Sequence, residues 1–428
     1  MKNRALSGAE KYIVTGGARL YGEIEVSSAK NSVLPLVACS LMVNGEVFLS
    51  NCEPASDAVN MLAIVRSLGG RCGFENGGIY LDCRGVRRHE VGEELTGRLR
   101  SSVFILGALV SRFRRAEISY PGGCDIGPRP IDLHTSGLRS LGVRVCENGE
   151  RLVCDGRDIR GGELHLPMPS VGATENLVMA AAGTEGHTVI RGAAEEPEIV
   201  DLQNFINACG GRVRGAGSSR IEIDGVKELH GTSFAPSGDR IAAGTYMIAG
   251  AICGGEITVR GCESGHLATL TGLLRRSGAI VAERTDGVTV ISDGRLRALG
   301  RIETSPYPGF PTDLQSPMTA LAAGAKGTSY IIENLFENRF RHIPELMKMG
   351  ADITVCGRAA TVRGRKLHAA DVEAKDLRGG AALVLAALGC EGRSTVAGAA
   401  HIDRGYFGFD RKLAALGADV RRVSALDM

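Results

Sequence analysis

A cysteine set among glycines and prolines is the strongest chemical signal in this chain: residues 121–134 read PGGCDIGPRPIDLH, with Cys124 five residues before Arg129. Gly122, Gly123 and Gly127 let the backbone bend and approach a ligand closely, while Pro121, Pro128 and Pro130 restrict it. That spacing predicts a loop with neither helix nor strand. A nearby guanidinium favours the thiolate, so Cys124 is a candidate reactive thiol; a buried structural cysteine is the alternative.

Other charged residues stand where elements begin. Lys30, beside Asn31 in SSAKNSVLP, follows the strand-like LYGEIEV at a strand-to-helix junction, where backbone N–H groups favour an anion. Arg100 precedes an apolar helix, and Arg129 is held between two prolines in a way that suits bidentate phosphate recognition. Arg378 opens the helix of DLRGGAALVLAAL, a position that opposes the helix dipole unless an anion binds there. Arg404 in HIDRGYFGF invites the same argument, with an ion pair to Asp403 as the alternative. Asp313 lies in the Pro/Gly-rich PYPGFPTDLQSP, as a helix N-cap or, facing a hydroxyl, a general base. His134, His342 and His401 have no metal-ligand spacing, and neither a Walker loop nor a GxGxxG in a βαβ setting occurs, so no metal or nucleotide cofactor is expected.

These residues are carried by a repeating frame. A helix end, a small turn and a strand recur as LGGRC from Leu68, LGVRV from Leu141, CGGRV from Cys209, SGAIV from Ser277, MGADI from Met349 and LGADV from Leu416. The intervals are 73, 68, 68, 72 and 67 residues. Upstream of each lies a β-rich run, from GEVFLSN at Gly45 to GRSTVAG at Gly392. The unit therefore has about 70 residues and six copies. One unit has little core of its own, so three per globular domain and two domains are expected for 428 residues.

Composition narrows the function. Lys+Arg 50 against Asp+Glu 48 gives a formal net charge of +2, and aromatics are only 4% with no Trp, which argues against a nucleic-acid binder. The apolar runs fall short of a membrane span and the N-terminus has no signal-peptide pattern. Twelve scattered cysteines without a CxxC pair fit reduced thiols in a cytoplasm.

Taken in order, SAKNSVLP, LRSS, PGGCDIGPRPIDLH, SVGATEN, EPEIVD, DRIAAGTY, FPTDLQ, FENRF, DLRGGAALVLA and HIDRGY resemble the UDP-N-acetylglucosamine enolpyruvyl transferases from Ile24 to Val420. The resemblance implies an α/β (α+β) fold, a two-domain inside-out α/β barrel built from six βαβαββ repeats, three per domain. It implies one domain over 29–237 with the Cys124 loop, a second over 1–28 and 238–428, and an active site in the interdomain cleft. By the same resemblance, phosphoenolpyruvate and UDP-N-acetylglucosamine are the substrates, and the sugar 3-hydroxyl adds to the enol ether before phosphate leaves. Cys124 is then the proton donor and fosfomycin target, Asp313 the base, and Lys30, Arg129, Arg378 and Arg404 the holders of phosphate and carboxylate. Asn31, Arg100, Pro130, Ile131, Asp132, Leu133, Ser170, Val171, Gly172 and Leu335 match positions that hold the nucleotide sugar. The sequence departs from the family pattern at Met168, where some members have lysine, at Ala242, in place of glutamate, and in Asn51–Asn60, which keeps one acid, Asp57. The shikimate-pathway enolpyruvyl transferase, a UDP-sugar-binding regulator and RNA 3′-terminal phosphate cyclase are the alternatives; the PGGC loop, the presence of Cys124, Lys30 and Asp313, and the lack of an adenylylation signature weigh against them in turn.

Overall fold

In the computed structural model, residues 10–122 and 130–424 are described, and their strands form six four-stranded sheets of one pattern. The sheet of Glu90–Val91, Arg115–Ser119, Arg144–Asn148 and Arg151–Asp155 is representative. Its first two strands pair in parallel and the others antiparallel. Parallel neighbours need a crossover, here the helix Ile105–Phe113, whereas Arg144–Asn148 and Arg151–Asp155 are joined by a short turn. Adding the helix Asp132–Ser140 gives β-α-β-α-β-β. The six turn motifs fall at the helix-to-strand joints, where Gly69, Gly142, Gly210, Gly278, Gly350 and Gly417 all have φ between 88° and 105°. A left-handed backbone favours glycine there, which explains the recurrence in the sequence.

Three repeats are not continuous in the chain. Leu20–Glu25 pairs in parallel with Gly255–Arg260, and Val43–Ser50 with the distant Leu229–Phe234. Lys11–Gly16 lies between Gly392–Ala397 and Asp419–Val423, completing the last repeat from the other end of the sequence. Among the described residues, the chain divides into two compact units, one ending at Val26 and resuming at Gly238, the other running from Ser27 to Ser237.

Each unit has its own apolar core, built on helices buried all round. All twelve residues of Leu377–Leu388 are buried, and Lys30–Cys39 and Val171–Ala182 are nearly so. Such helices lack the polar face of a surface helix, in contrast to Ala268–Ser277, which buries Leu270, Leu273, Leu274 and Ser277. Neighbouring buried helices pack closely. Near the helix starts, Leu314 leaves no room for a Cβ at Gly244, and near the ends Ile252 does the same at Gly389.

One expectation is corrected. The stretch read as loop ends inside a helix, because Asp132, Leu133 and His134 form the first turn of Asp132–Ser140. After Pro130 no glycine or proline intervenes until Gly137, and Asp132 sits favourably at the positive end of the helix dipole. Eleven cysteines are described, all unbridged. No helix among the described residues is long and apolar enough to cross a membrane.

Candidate active site

The repeat explains where the candidate residues stand: in both units they gather at the beginnings of buried helices. In the unit from Ser27, Lys30 is the first residue of its helix, and its Nζ lies 3.3 Å from Oδ2 of Asp57. Asp57 is buried in the first turn of Ser56–Leu68. This carboxylate offsets a cation that the helix dipole alone disfavours. Asn31 follows, half-buried.

Arg100 begins the 3-10 turn Arg100–Phe104, and its Nη1 donates to the carbonyl of Pro121 at 3.5 Å. The next residue, Gly122, donates its N–H to Thr96 O at 3.0 Å, and a Cβ there would come within 1.9 Å of Gly97 O. The base of the cysteine segment is therefore held tightly. Cys124 and Arg129 lie outside the described residues.

Three candidate segments meet around one asparagine. Asn176 Nδ2 contacts His134 Nδ1 at 2.9 Å and donates to Val103 O at 2.9 Å. A Cβ on Gly172 would sit 3.0 Å from Phe104 and 3.2 Å from His134. This joins Arg100–Phe104, the turn bearing Pro130, Ile131, Asp132 and Leu133, and the Ser170–Gly172 turn, where Ser170 caps its helix by accepting from Ala173 N. Ile131 is buried, Leu133 half-buried, Pro130 and Asp132 exposed.

In the other unit the centre is Asp313. It lies inside the 3-10 turn Thr312–Leu314, and the N-cap positions of that turn and of the following helix are Pro311 and Leu314. Its Oδ1 accepts from Arg339 Nη2 at 2.6 Å, and its Oδ2 from Arg378 Nε at 3.1 Å and Nη2 at 2.9 Å. Arg378 and Arg339 side chains are 2% and 5% exposed, whereas Asp313 is 26% exposed, so the carboxylate is the accessible member. Tyr406 lies under the Arg378 guanidinium, 5.0 Å from ring centroid to Cζ, and its hydroxyl is 2.8 Å from Thr245 Oγ1. Burial is the largest influence on Arg378 and lowers its pKa, but Tyr406, Asp313 and Asp239 outweigh it and hold the group above its ordinary value. Burial, the first cause, also raises the pKa of the Tyr406 phenol.

Arg404 is half-buried two residues before Tyr406. Its neighbour Asp403 is engaged by Arg422 at 2.9 and 2.7 Å. Leu335, half-buried, lies on the turn that leads to Arg339. The sequence reading does not single out Arg339, although FENRF contains it; the flanking Phe336 and Phe340 are the available signal for a buried guanidinium. The roles of Glu333 and Tyr406 likewise emerge only from their contacts, as does the pairing of Asp57 with Lys30. Of the departures, Ala242 is buried and its N–H is held by the Asp239 cap at 2.9 Å, while Met168 is exposed. No group of acidic, histidine and cysteine side chains among the described residues is arranged to hold a metal.

The sequence and the fold have known counterparts. The family profile of EPSP synthase (3-phosphoshikimate 1-carboxyvinyltransferase) matches residues 14–413. The chain belongs to the EPSP synthase family. Within the family it is 47% identical to UDP-N-acetylglucosamine 1-carboxyvinyltransferase 2 of Caldanaerobacter subterraneus subsp. tengcongensis, over 96% of this chain and 99% of that one. It is also 47% identical to UDP-N-acetylglucosamine 1-carboxyvinyltransferase 1 of Symbiobacterium thermophilum, over 97% and 95% of the respective chains. Among solved structures, the enolpyruvyl transferase NikO from Streptomyces tendae superposes with a TM-score of 0.88 at 26% identity, covering 97% of this chain and 99% of that one.

Proposed function

We propose that the chain is a UDP-N-acetylglucosamine 1-carboxyvinyltransferase: it moves the enolpyruvyl group of phosphoenolpyruvate to the sugar 3-hydroxyl and releases phosphate, at the entry to peptidoglycan synthesis in the cytoplasm. The observation that carries this reading is the accessible Asp313 carboxylate, fixed by two buried guanidiniums in a chain so similar to enzymes of that name. The reaction needs such a group, a proton acceptor that cannot swing away from the hydroxyl.

In this reading the active site lies in the cleft between domain 29–237 and the domain made of 1–28 and 238–428. Lys30, Arg129, Arg378 and Arg404 hold the phosphate and carboxylate. Asn31, Arg100, Pro130, Ile131, Asp132, Leu133, Ser170, Val171, Gly172 and Leu335 hold the nucleotide sugar. Arg378 already serves Asp313 through Nε and Nη2, and its buried Nη1 has no hydrogen-bond partner among the described residues. An anionic substrate beside the two arginines takes up part of their field and leaves Asp313 a better proton acceptor.

The sugar oxygen then adds to C2 of phosphoenolpyruvate, its proton passes to Asp313, and Cys124 delivers a proton to C3. Loss of phosphate with one C3 proton restores the enol ether. The cations Lys30, Arg129, Arg378 and Arg404 stabilise the charge that builds on the leaving phosphate in this reading.

The test is phosphate release from the purified chain with phosphoenolpyruvate and either UDP-N-acetylglucosamine or shikimate 3-phosphate. Release with the nucleotide sugar alone is expected, as is a single fosfomycin adduct on the Cys124 peptide by mass spectrometry. Cys124→Ser slows turnover, whereas Cys124→Asp keeps turnover and abolishes the adduct. Release with shikimate 3-phosphate instead, or none from folded protein, overturns the assignment.

A further inference from the structure

Glu333 stands one residue past the strand Thr328–Ile332 and its side chain is buried, at 1% exposure. It stands near the end of GTSYIIEN, one of the six β-rich runs, and four hydrogen bonds converge on its carboxylate. Oε1 accepts from Thr304 Oγ1 at 2.9 Å, Leu335 N at 2.9 Å and Phe336 N at 3.1 Å, and Oε2 accepts from Thr312 Oγ1 at 2.8 Å. These donors lie on three segments. Thr304 follows the parallel partner strand Arg301–Glu303, Thr312 immediately precedes Asp313, and Leu335 and Phe336 begin the turn that ends at Arg339.

The junction is itself anchored. Glu333 N donates to Arg358 O at 2.8 Å, Thr304 N donates to Ile332 O at 2.9 Å, and Thr304 Oγ1 also accepts from Asn334 N at 2.9 Å. A carboxylate offers acceptors to all four groups, whereas a glutamine turns one of its two acceptor atoms into a donor. Asp313 and Arg339 thus reach each other at 2.6 Å from segments that share one buried carboxylate.

We infer that Glu333 is a positioning residue for the proposed reaction, fixing Asp313 through Thr312 and Arg339 through the Leu335–Phe336 turn. The inference rests on Asp313 being the base. A hydroxyl-accepting carboxylate must be placed to within a fraction of an ångström, and a misplacement of about 1 Å costs on the order of 100-fold in rate.

Thr312→Val is the decisive variant because it keeps the side-chain shape and removes only the bond to Oε2. Its kcat is expected to fall about 10- to 100-fold, with KM for the nucleotide sugar close to wild type. Thr312→Ser, which keeps the hydroxyl, restores kcat. Glu333→Gln lowers kcat in the same direction. Wild-type kcat in Thr312→Val, or a loss in Thr312→Val that Thr312→Ser fails to rescue, overturns the positioning role. An Asp313→Asn control separates the two readings. Wild-type kcat in that variant removes Asp313 as base, whereas a large loss there beside an unaffected Thr312→Val removes only the role of Glu333.

Discussion

Asp313→Asn tests whether one carboxylate both performs chemistry and neutralises two buried cations. The substitution keeps the volume but removes the charge, and it turns one of the two acceptors for Arg339 and Arg378 into a donor. Breaking a buried ion pair costs about 3–5 kcal/mol, because the surviving charge stays out of water. Two pairs are affected here, but Arg378 keeps the Tyr406 ring at 5.0 Å, worth up to about 2 kcal/mol when desolvated, so a loss near that of one pair is the better figure. At about 2–4 °C per kcal/mol for a unit of this size, the melting temperature should fall by about 6–20 °C. Turnover should fall by about 100- to 10,000-fold through loss of the base.

Adding Arg339→Met separates these effects. It removes one stranded cation, so it should return at least about 1 kcal/mol of stability relative to Asp313→Asn alone, without returning turnover. The assays are calorimetric unfolding and phosphate release on the same preparations. Two results refute the reasoning: a melting temperature unchanged in Asp313→Asn, or recovery of turnover in the double variant along with its stability.

Two further outcomes follow from local geometry. Gly122→Ala forces a Cβ to within 1.9 Å of Gly97 O, a backbone atom that cannot step aside, so the base of the Cys124 segment must shift. Phosphate release should fall about 100-fold with a stability loss of about 1–3 kcal/mol, and unchanged kinetics would show that the base is not held as described. Glu175 is wholly buried, with neither carboxylate oxygen hydrogen-bonded among the described residues, and burial, then Glu198 and Glu196, push its pKa well above the usual carboxylate value. The folded state therefore retains a proton that the unfolded chain releases above pH about 4.5, so this group's contribution to stability falls as pH rises. Glu175→Gln should raise the melting temperature at pH 8 by more than at pH 5; an equal effect at both values would contradict the assignment.

The regular part of the fold is legible because its signals are local. A positive φ after each helix favours glycine, strands alternate, and helices repeat every three or four residues, all within a ten-residue window. The Pro121–His134 stretch shows the limit of that window. Glycine and proline density predicts loop throughout, but the composition changes after Pro130 and Asp132 starts a helix. Asp313 shows another limit. Its neighbours suggest a helix cap, yet its partners Arg339 and Arg378 are 26 and 65 residues away.

The sequence by itself determined the six-fold unit and the kinds of chemical group available, since both are written in residue type and spacing along the chain. Only the tertiary structure decided which strands complete each sheet, as when Lys11–Gly16 closes the last repeat, and which charges neutralise one another, as Asp57 does Lys30. The physical reason is range: backbone preferences act over a few residues, whereas the pairing of strand edges and buried charges depends on which distant segments the packed core brings within hydrogen-bond reach.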